Sequence, residues 1–191
     1  MRVLIGCEES QEVCKAFRAR GHKAYSCDIQ ECSGGHPEWH LKMDIEQAIR
    51  SQYWDFIGLH LPCTSVAVSG NRWYGAGMEH HQKRLDSVVW MENVWLSAVN
   101  CARFVYLENP VGVLNKYGSF PKPQYIQPWQ FGHGETKRTG LWLYGLPELQ
   151  PTNIVEGREN RIWKMPPSED RAKLRSKTYP GIAKAMAEQW G

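Results

Sequence analysis

Arg2-Val3-Leu4-Ile5-Gly6 is a short apolar run that stops on glycine, and it reads as a buried strand. In residues 10–21, Val13, Ala16 and Phe17 recur at helical spacing, Ser10 offers an N-cap and Gly21 a C-cap. Lys23-Ala24-Tyr25-Ser26-Cys27-Asp28 then reads as a second strand ending on an acid. Strand, turn, helix and strand make a βαβ unit, the connection that parallel neighbours require. The pattern continues outward. Residues 46–52 read as a short helix. Residues 54–60 read as a buried strand running into Leu61-Pro62-Cys63, and residues 83–102 as the longest helix. Residues 103–107 read as a strand running into Glu108-Asn109-Pro110, residues 140–144 as a later strand and residues 182–190 as a terminal helix. The alternation predicts an α/β fold, a mostly parallel sheet with helices on both faces. Residues 70–77 and 112–130 read as loops, long enough to be functional.

A chain of 191 residues suits one domain with a full core, here residues 1–191. The apolar fraction of 42% and charged fraction of 23% are those of an ordinary soluble protein. No apolar run reaches the roughly 18 residues of a membrane span. Residues 1–6, soon followed by Glu8 and Glu9, are too short for a secretory signal, so a cytoplasmic protein with no membrane partner is expected. The net charge of +3 permits nucleic-acid contact without demanding it. The six cysteines, Cys7, Cys14, Cys27, Cys32, Cys63 and Cys101, include no C-x-x-C pair and read as free thiols. Cys27, Cys32, His36 and His40 are spaced loosely like a zinc site, but true sites show tighter cysteine pairs, and no metal is expected.

In an open parallel sheet, ligands sit beyond the carboxyl ends of the strands. Three such ends carry reactive groups here: Asp28, Leu61-Pro62-Cys63-Thr64 and Glu108-Asn109-Pro110. Pro62 stiffens the loop that presents the Cys63 thiol, and a buried carboxyl at position 108 can be held protonated and act as a general acid. Taken singly, Cys63 is better explained as a buried structural cysteine, and Glu108 as a helix cap or surface charge.

As a pair, Leu61-Pro62-Cys63-Thr64 and Leu107-Glu108-Asn109-Pro110-Val111 resemble the two signature motifs of the DNA cytosine-5 methyltransferases. The order of the remaining chain is similar to that family's. The opening βαβ unit falls where the cofactor site begins, Asp28 where an acid grips the ribose and Asp44 where an aspartate contacts the adenine. Residues 130–143, with Lys137-Arg138-Thr139, resemble the motif that supplies an arginine near the target base, and residues 176–187 the closing motif. The resemblance implies a single-domain Rossmann-like methyltransferase fold and S-adenosylmethionine as cofactor. It implies Cys63, Glu108 and Arg138 as catalytic groups, with Gly6, Asp28, Asp44 and Pro62 lining the cofactor site, and the acids Glu8 and Glu9 beside them are expected there on their own chemistry. Thr64, Asn109, Arg72 and Trp73 are the expected substrate contacts. Cys63 would add to carbon 6 of cytosine while Glu108 protonates ring nitrogen 3.

Two departures mark this chain. The family's glycine-rich loop is replaced by Cys7-Glu8-Glu9-Ser10-Gln11, whose acids could hold the cofactor's ammonium group or cap the next helix. Only residues 144–175 lie where the family inserts a target-recognition region, too few for a separate recognition domain. The compact form is in keeping with a phage or mobile-element setting. DNA, single-stranded or opened, is the expected substrate, with a partner protein able to supply recognition. A cytosine nucleotide such as dCMP, or a descendant that only binds DNA or protein, are the alternatives.

Overall fold

The computed structural model describes residues 1–168 and 171–191. Its strands are β1 (Arg2–Gly6), β2 (Lys23–Asp28), β3 (His40–Lys42), β4 (Phe56–Leu59), β5 (Phe104–Pro110), β6 (Gln124–Ile126) and β7 (Thr139–Tyr144). Its helices are α1 (Glu12–Ala19), α2 (Ile45–Ser51), α3 (Asn71–Tyr74), α4 (His81–Cys101), α5 (Leu114–Tyr117), α6 (Arg161–Lys164), α7 (Arg171–Ser176) and α8 (Pro180–Trp190). The strands form one sheet in the order β3-β2-β1-β4-β5-β7-β6. From β3 through β5 all pairs are parallel, and β7 runs antiparallel between β5 and β6. The expected α/β architecture is therefore present, with helices on both faces.

Alternation along the buried strands sorts the side chains into two cores. Leu4, Ile57, Leu59, Val105 and Leu107 face α2 and α4. Val3, Ile5, Phe56 and Tyr106 face the opposite way, towards α1 and α8. α4 presents Val88, Met91, Trp95 and Ala98 to the first core at spacings of three and four. α8 presents Ile182, Ala185, Met186 and Trp190 to the second. Among the described residues no helix is long and apolar enough to cross a membrane.

Several elements differ from the expected ones for identifiable reasons. The strand expected over 103–107 continues to Pro110, because β7 pairs alongside it, setting Glu108 opposite Leu141 and Asn109 opposite Gly140. The loop expected over 112–130 contains α5 and β6, and the one over 70–77 contains α3. Helix α1 is not capped by Ser10. Cys7 and Gln11 both take the left-handed conformation, at φ 57° and 59°, and the turn they make brings the Glu8 carboxylate beneath the helix. Glu8 there accepts hydrogen bonds from the backbone N–H groups of Val13 (2.6 Å) and Cys14 (3.2 Å).

Candidate active site

The carboxyl ends of β1, β2, β4 and β5 open on the same edge of the sheet, because these strands are mutually parallel. Pro62 and Thr64 are exposed in the loop after β4, and Cys63 is partly buried between them. Two buried groups fix that loop. Asn109 donates from Nδ2 to the Leu61 carbonyl at 2.9 Å, tying the end of β5 to the segment before the thiol. Its Oδ1 is buried without a partner among the described residues. Arg84 of α4 is 2% exposed. It donates to the carbonyls of Ser65 (2.6 Å) and Ala67 (3.3 Å) and to Asn71 Oδ1 (2.8 Å).

Burial pushes the Cys63 thiol above its ordinary pKa, and the negative charge of Glu108 adds to the rise; Lys137 and Arg175 oppose it. Glu108 is the reverse case. Burial favours its neutral form, yet the contact with His60 Nδ1, 3.5 Å away, and the charge of Lys137 prevail and hold the carboxyl below its usual value. The carboxyl expected to be kept protonated by burial is thus an anion in the free protein, with two basic side chains beside it. Cys63, Glu108 and Lys137 act on one another electrostatically, so residues far apart in sequence converge here. Arg138 points elsewhere: its guanidinium carbon lies 4.2 Å from the centre of the Tyr125 ring, and the side chain is exposed. Lys137, its neighbour, is the cation whose charge reaches both the thiol and the carboxylate.

The ends of β1 and β2 gather the residues expected to bind a cofactor. Cys7 is raised by burial first, then by the charges of Asp28, Cys27 and Asp44, which places both aspartates around this turn. Asp28 accepts from the Gln30 N–H (2.9 Å), and Asp44 caps α2 by accepting from the Glu46 N–H (2.8 Å). Each thereby leaves a second carboxylate oxygen uncommitted to these turns. Gly6 has a packing reason, since a Cβ there would run into the Ile45 side chain. Glu8 is used up by capping α1. Glu9 is different: its Oε2 is buried without a hydrogen bond among the described residues and lies 3.8 Å from Lys173 Nζ. Arg72 and Trp73 lie exposed on α3, just beyond the Cys63 loop, with Arg72 over the indole at 5.3 Å.

Three of the four residues considered as a zinc set are engaged separately, and Cys32 is a free, partly buried thiol. Cys27 donates to the Met43 carbonyl, His40 bonds Ser26 and the Gln30 carbonyl, and His36 stacks on Trp39. Among the described residues no group of three metal-ligating side chains is assembled.

His60, which the sequence did not single out, closes β4 and contacts two members of β5. Its Nε2 lies 2.7 Å from the Tyr106 hydroxyl and its Nδ1 3.5 Å from Glu108 Oε2. The signal available in sequence was slight: a histidine ending an apolar strand two residues after a glycine.

A seven-stranded sheet in this order, with its one reversed strand inside the edge, is a methyltransferase fold. Among solved structures the chain is similar to a protein described as a DNA modification methyltransferase encoded within a prophage of E. coli, at 11% identity and a TM-score of 0.51, over 82% of this chain and 52% of that one. It is also similar to the Entamoeba histolytica methyltransferase EhMeth, at 14% identity and a TM-score of 0.56, over 81% of this chain and 57% of that one. The chain thus spans little more than half the length of the structures it matches. No family model and no curated protein matches the sequence.

Proposed function

We propose that this protein methylates carbon 5 of cytosine in DNA, using S-adenosylmethionine as donor and Cys63 as covalent nucleophile. The observation that carries the reading is that parallel β4 and β5, tied together by the bond from Asn109 to the Leu61 carbonyl, end on one edge of the sheet with the Cys63 loop on one and Glu108 on the other, in the electrostatic reach of Lys137. The methyltransferase fold and the two motifs on those strand ends support it.

The chain fits the donor by its charges. Glu9, with an orphaned buried oxygen, suits the methionine ammonium, and Asp28 and Asp44 suit hydroxyl and amino groups of the adenosine. Gly6 and Pro62 line the same strand ends. S-adenosylmethionine supplies an electrophilic methyl group on a sulfonium sulfur, to be taken up by carbon 5.

The remaining chemistry belongs to the chain. Cys63 holds its proton in the free protein and must lose it to attack. Glu108, ionised, accepts that proton and passes it to ring nitrogen 3 as the sulfur–carbon 6 bond forms, so no net charge is created on the ring. Lys137 offsets the negative charge as it moves between sulfur and carboxylate. After methylation the carbon 5 proton leaves to a solvent base, the carbon 6–sulfur bond breaks, nitrogen 3 gives up its proton, and Cys63 is regenerated. Thr64 and Asn109 flank the ring site, Asn109 through its hold on the Cys63 loop. Arg138 on Tyr125 is left to contact the phosphate backbone rather than the reacting base. Arg72 and Trp73, exposed and adjacent, suit a phosphate and an unstacked base, which favours a polynucleotide over a free nucleotide. A duplex would have to release the base, so single-stranded or opened DNA is the better substrate, and a partner protein could supply sequence recognition. These interactions suit a cytoplasmic enzyme.

The test is trapping. DNA containing 5-fluorocytosine, with S-adenosylmethionine, should give a denaturation-stable adduct with the parent protein and none with Cys63→Ser. Labelled methyl transferred to dCMP but not to DNA would replace the substrate. Transfer to neither, with no adduct, would leave a binding protein and refute the proposal.

A further inference from the structure

His60 is surrounded in a way that a spacer residue would not be. Its side chain is 7% exposed and lies between Tyr106, fully buried, and Glu108, 15% exposed. The Tyr106 hydroxyl is pushed far above its usual pKa by burial and by the carboxyls of Glu8 and Glu108, so it keeps its proton and donates to His60 Nε2. Nε2 is therefore the acceptor, Nδ1 carries the hydrogen, and that hydrogen faces Glu108 Oε2 at an N···O distance of 3.5 Å. Glu108 is held as an anion by this contact and by Lys137, so donor and acceptor match along the whole chain from Tyr106 to His60 to Glu108.

The backbone is adapted to the arrangement. Tyr106 on β5 pairs beside Gly58 on β4, and a Cβ at position 58 would fall inside the Tyr106 ring. Gly58 thus lets the ring lie flat across β4 and carry its hydroxyl to the histidine two residues on, on the same face of the strand. Phe56 and Trp190 wall the ring on other sides, with centroids 5.8 and 5.5 Å away.

We propose that His60 is a positioning residue for cytosine-5 methyl transfer, set in its tautomer by Tyr106, which fixes Glu108 Oε2 and so leaves Oε1 to meet the pyrimidine ring. The inference rests on the function proposed above, and it concerns a residue outside the two motifs that suggested that function. A carboxylate free to rotate would offer either oxygen at the wrong angle, and misplacement on the scale of 1 Å costs up to about a hundredfold in rate.

The experiment compares parent, His60→Gln, Tyr106→Phe and Glu108→Gln, and combines His60→Gln with Glu108→Gln. Methyl transfer to single-stranded, cytosine-containing DNA is measured under saturating S-adenosylmethionine, with 5-fluorocytosine trapping alongside. His60→Gln should lower kcat by about tenfold or more with KM for DNA within about threefold. Tyr106→Phe, which keeps the ring and its packing, should lower kcat in the same direction by less. In the Glu108→Gln background the His60 change should add almost nothing, because its effect runs through that carboxylate. If the parent transfers methyl groups and His60→Gln and Tyr106→Phe both retain its kcat, the inference fails and the function stands. The same holds if His60→Gln costs as much without the Glu108 carboxylate as with it. If the parent neither transfers nor traps, the function and the inference fall together.

Discussion

Glu8 shows how one side chain can link a backbone need to a proton equilibrium. Its carboxyl caps α1 from a buried position, and burial pushes it up to about 7, against the two backbone N–H donors that it accepts from. The folded chain therefore holds a proton on Glu8 that the unfolded chain releases above 4.5. Stability from this group is full at low pH and is lost as pH rises from that value through about 7, on the order of 3 kcal/mol in all. Urea unfolding between pH 5 and 7.5 should show that decline in the parent and a flatter profile in Glu8→Gln; equal slopes would refute it. Cys63 offers a second test. Its thiol is raised by burial and by Glu108, and lowered by Lys137, so it should react with iodoacetamide more slowly than the exposed Cys101. Glu108→Gln should quicken the reaction and Lys137→Met should slow it, as read by peptide mass spectrometry; the opposite order would show that these charges do not act on the sulfur. At this scale the sequence made the placement of Cys63 and Glu108 at the carboxyl ends of β4 and β5 legible, because each comes after an apolar run. It concealed His60, because a lone histidine has no pattern. It also pointed to Arg138 and passed over Lys137, whose charge acts on both Cys63 and Glu108, since adjacent residues leading into a strand point to opposite sides.

Among the elements, the union of α4 with the loop after β4 is the one most open to test. Arg84 gives its hydrogen bonds to two carbonyls and an amide oxygen of that loop rather than to a carboxylate. Replacing it by methionine leaves buried carbonyls unpaired, at a cost on the order of 2 kcal/mol. Arg84→Met should lower the unfolding midpoint and make residues 64–78 the first site of limited proteolysis; an unchanged digest would show that the loop is held by other means. Elements with a strong period, such as β1, α1, β4 and α8, were readable in advance. β3 and β6 were not, because each spans only three residues and has too little length to show alternation. The extension of β5 through Pro110 was hidden as well, since a proline reads as a strand's end until a neighbour is seen to pair along it.

Over the whole molecule, the two cores lie on opposite faces of one sheet, and the second depends on α8. That helix buries Ile182, Ala183, Ala185, Met186, Ala187 and Trp190, chiefly against α1 and the β4–β5 aromatics. Ending the chain at residue 179 should leave it without a cooperative thermal transition, since so much apolar contact is lost at once; a truncated protein that melts cooperatively near the parent's midpoint would show that α8 is dispensable. The α/β class was readable in the chain's alternation, but the dependence on α8 was not, because periodicity identifies a helix and does not say which strands it will cover. The packing of α8 on α1 also has a consequence for biosynthesis. A chain leaving the ribosome makes α1 and Tyr106 early but cannot wall them off until Trp190 has emerged. Tyr106 is thus enclosed among the last contacts to form, and the second core is complete only after translation has passed Trp190.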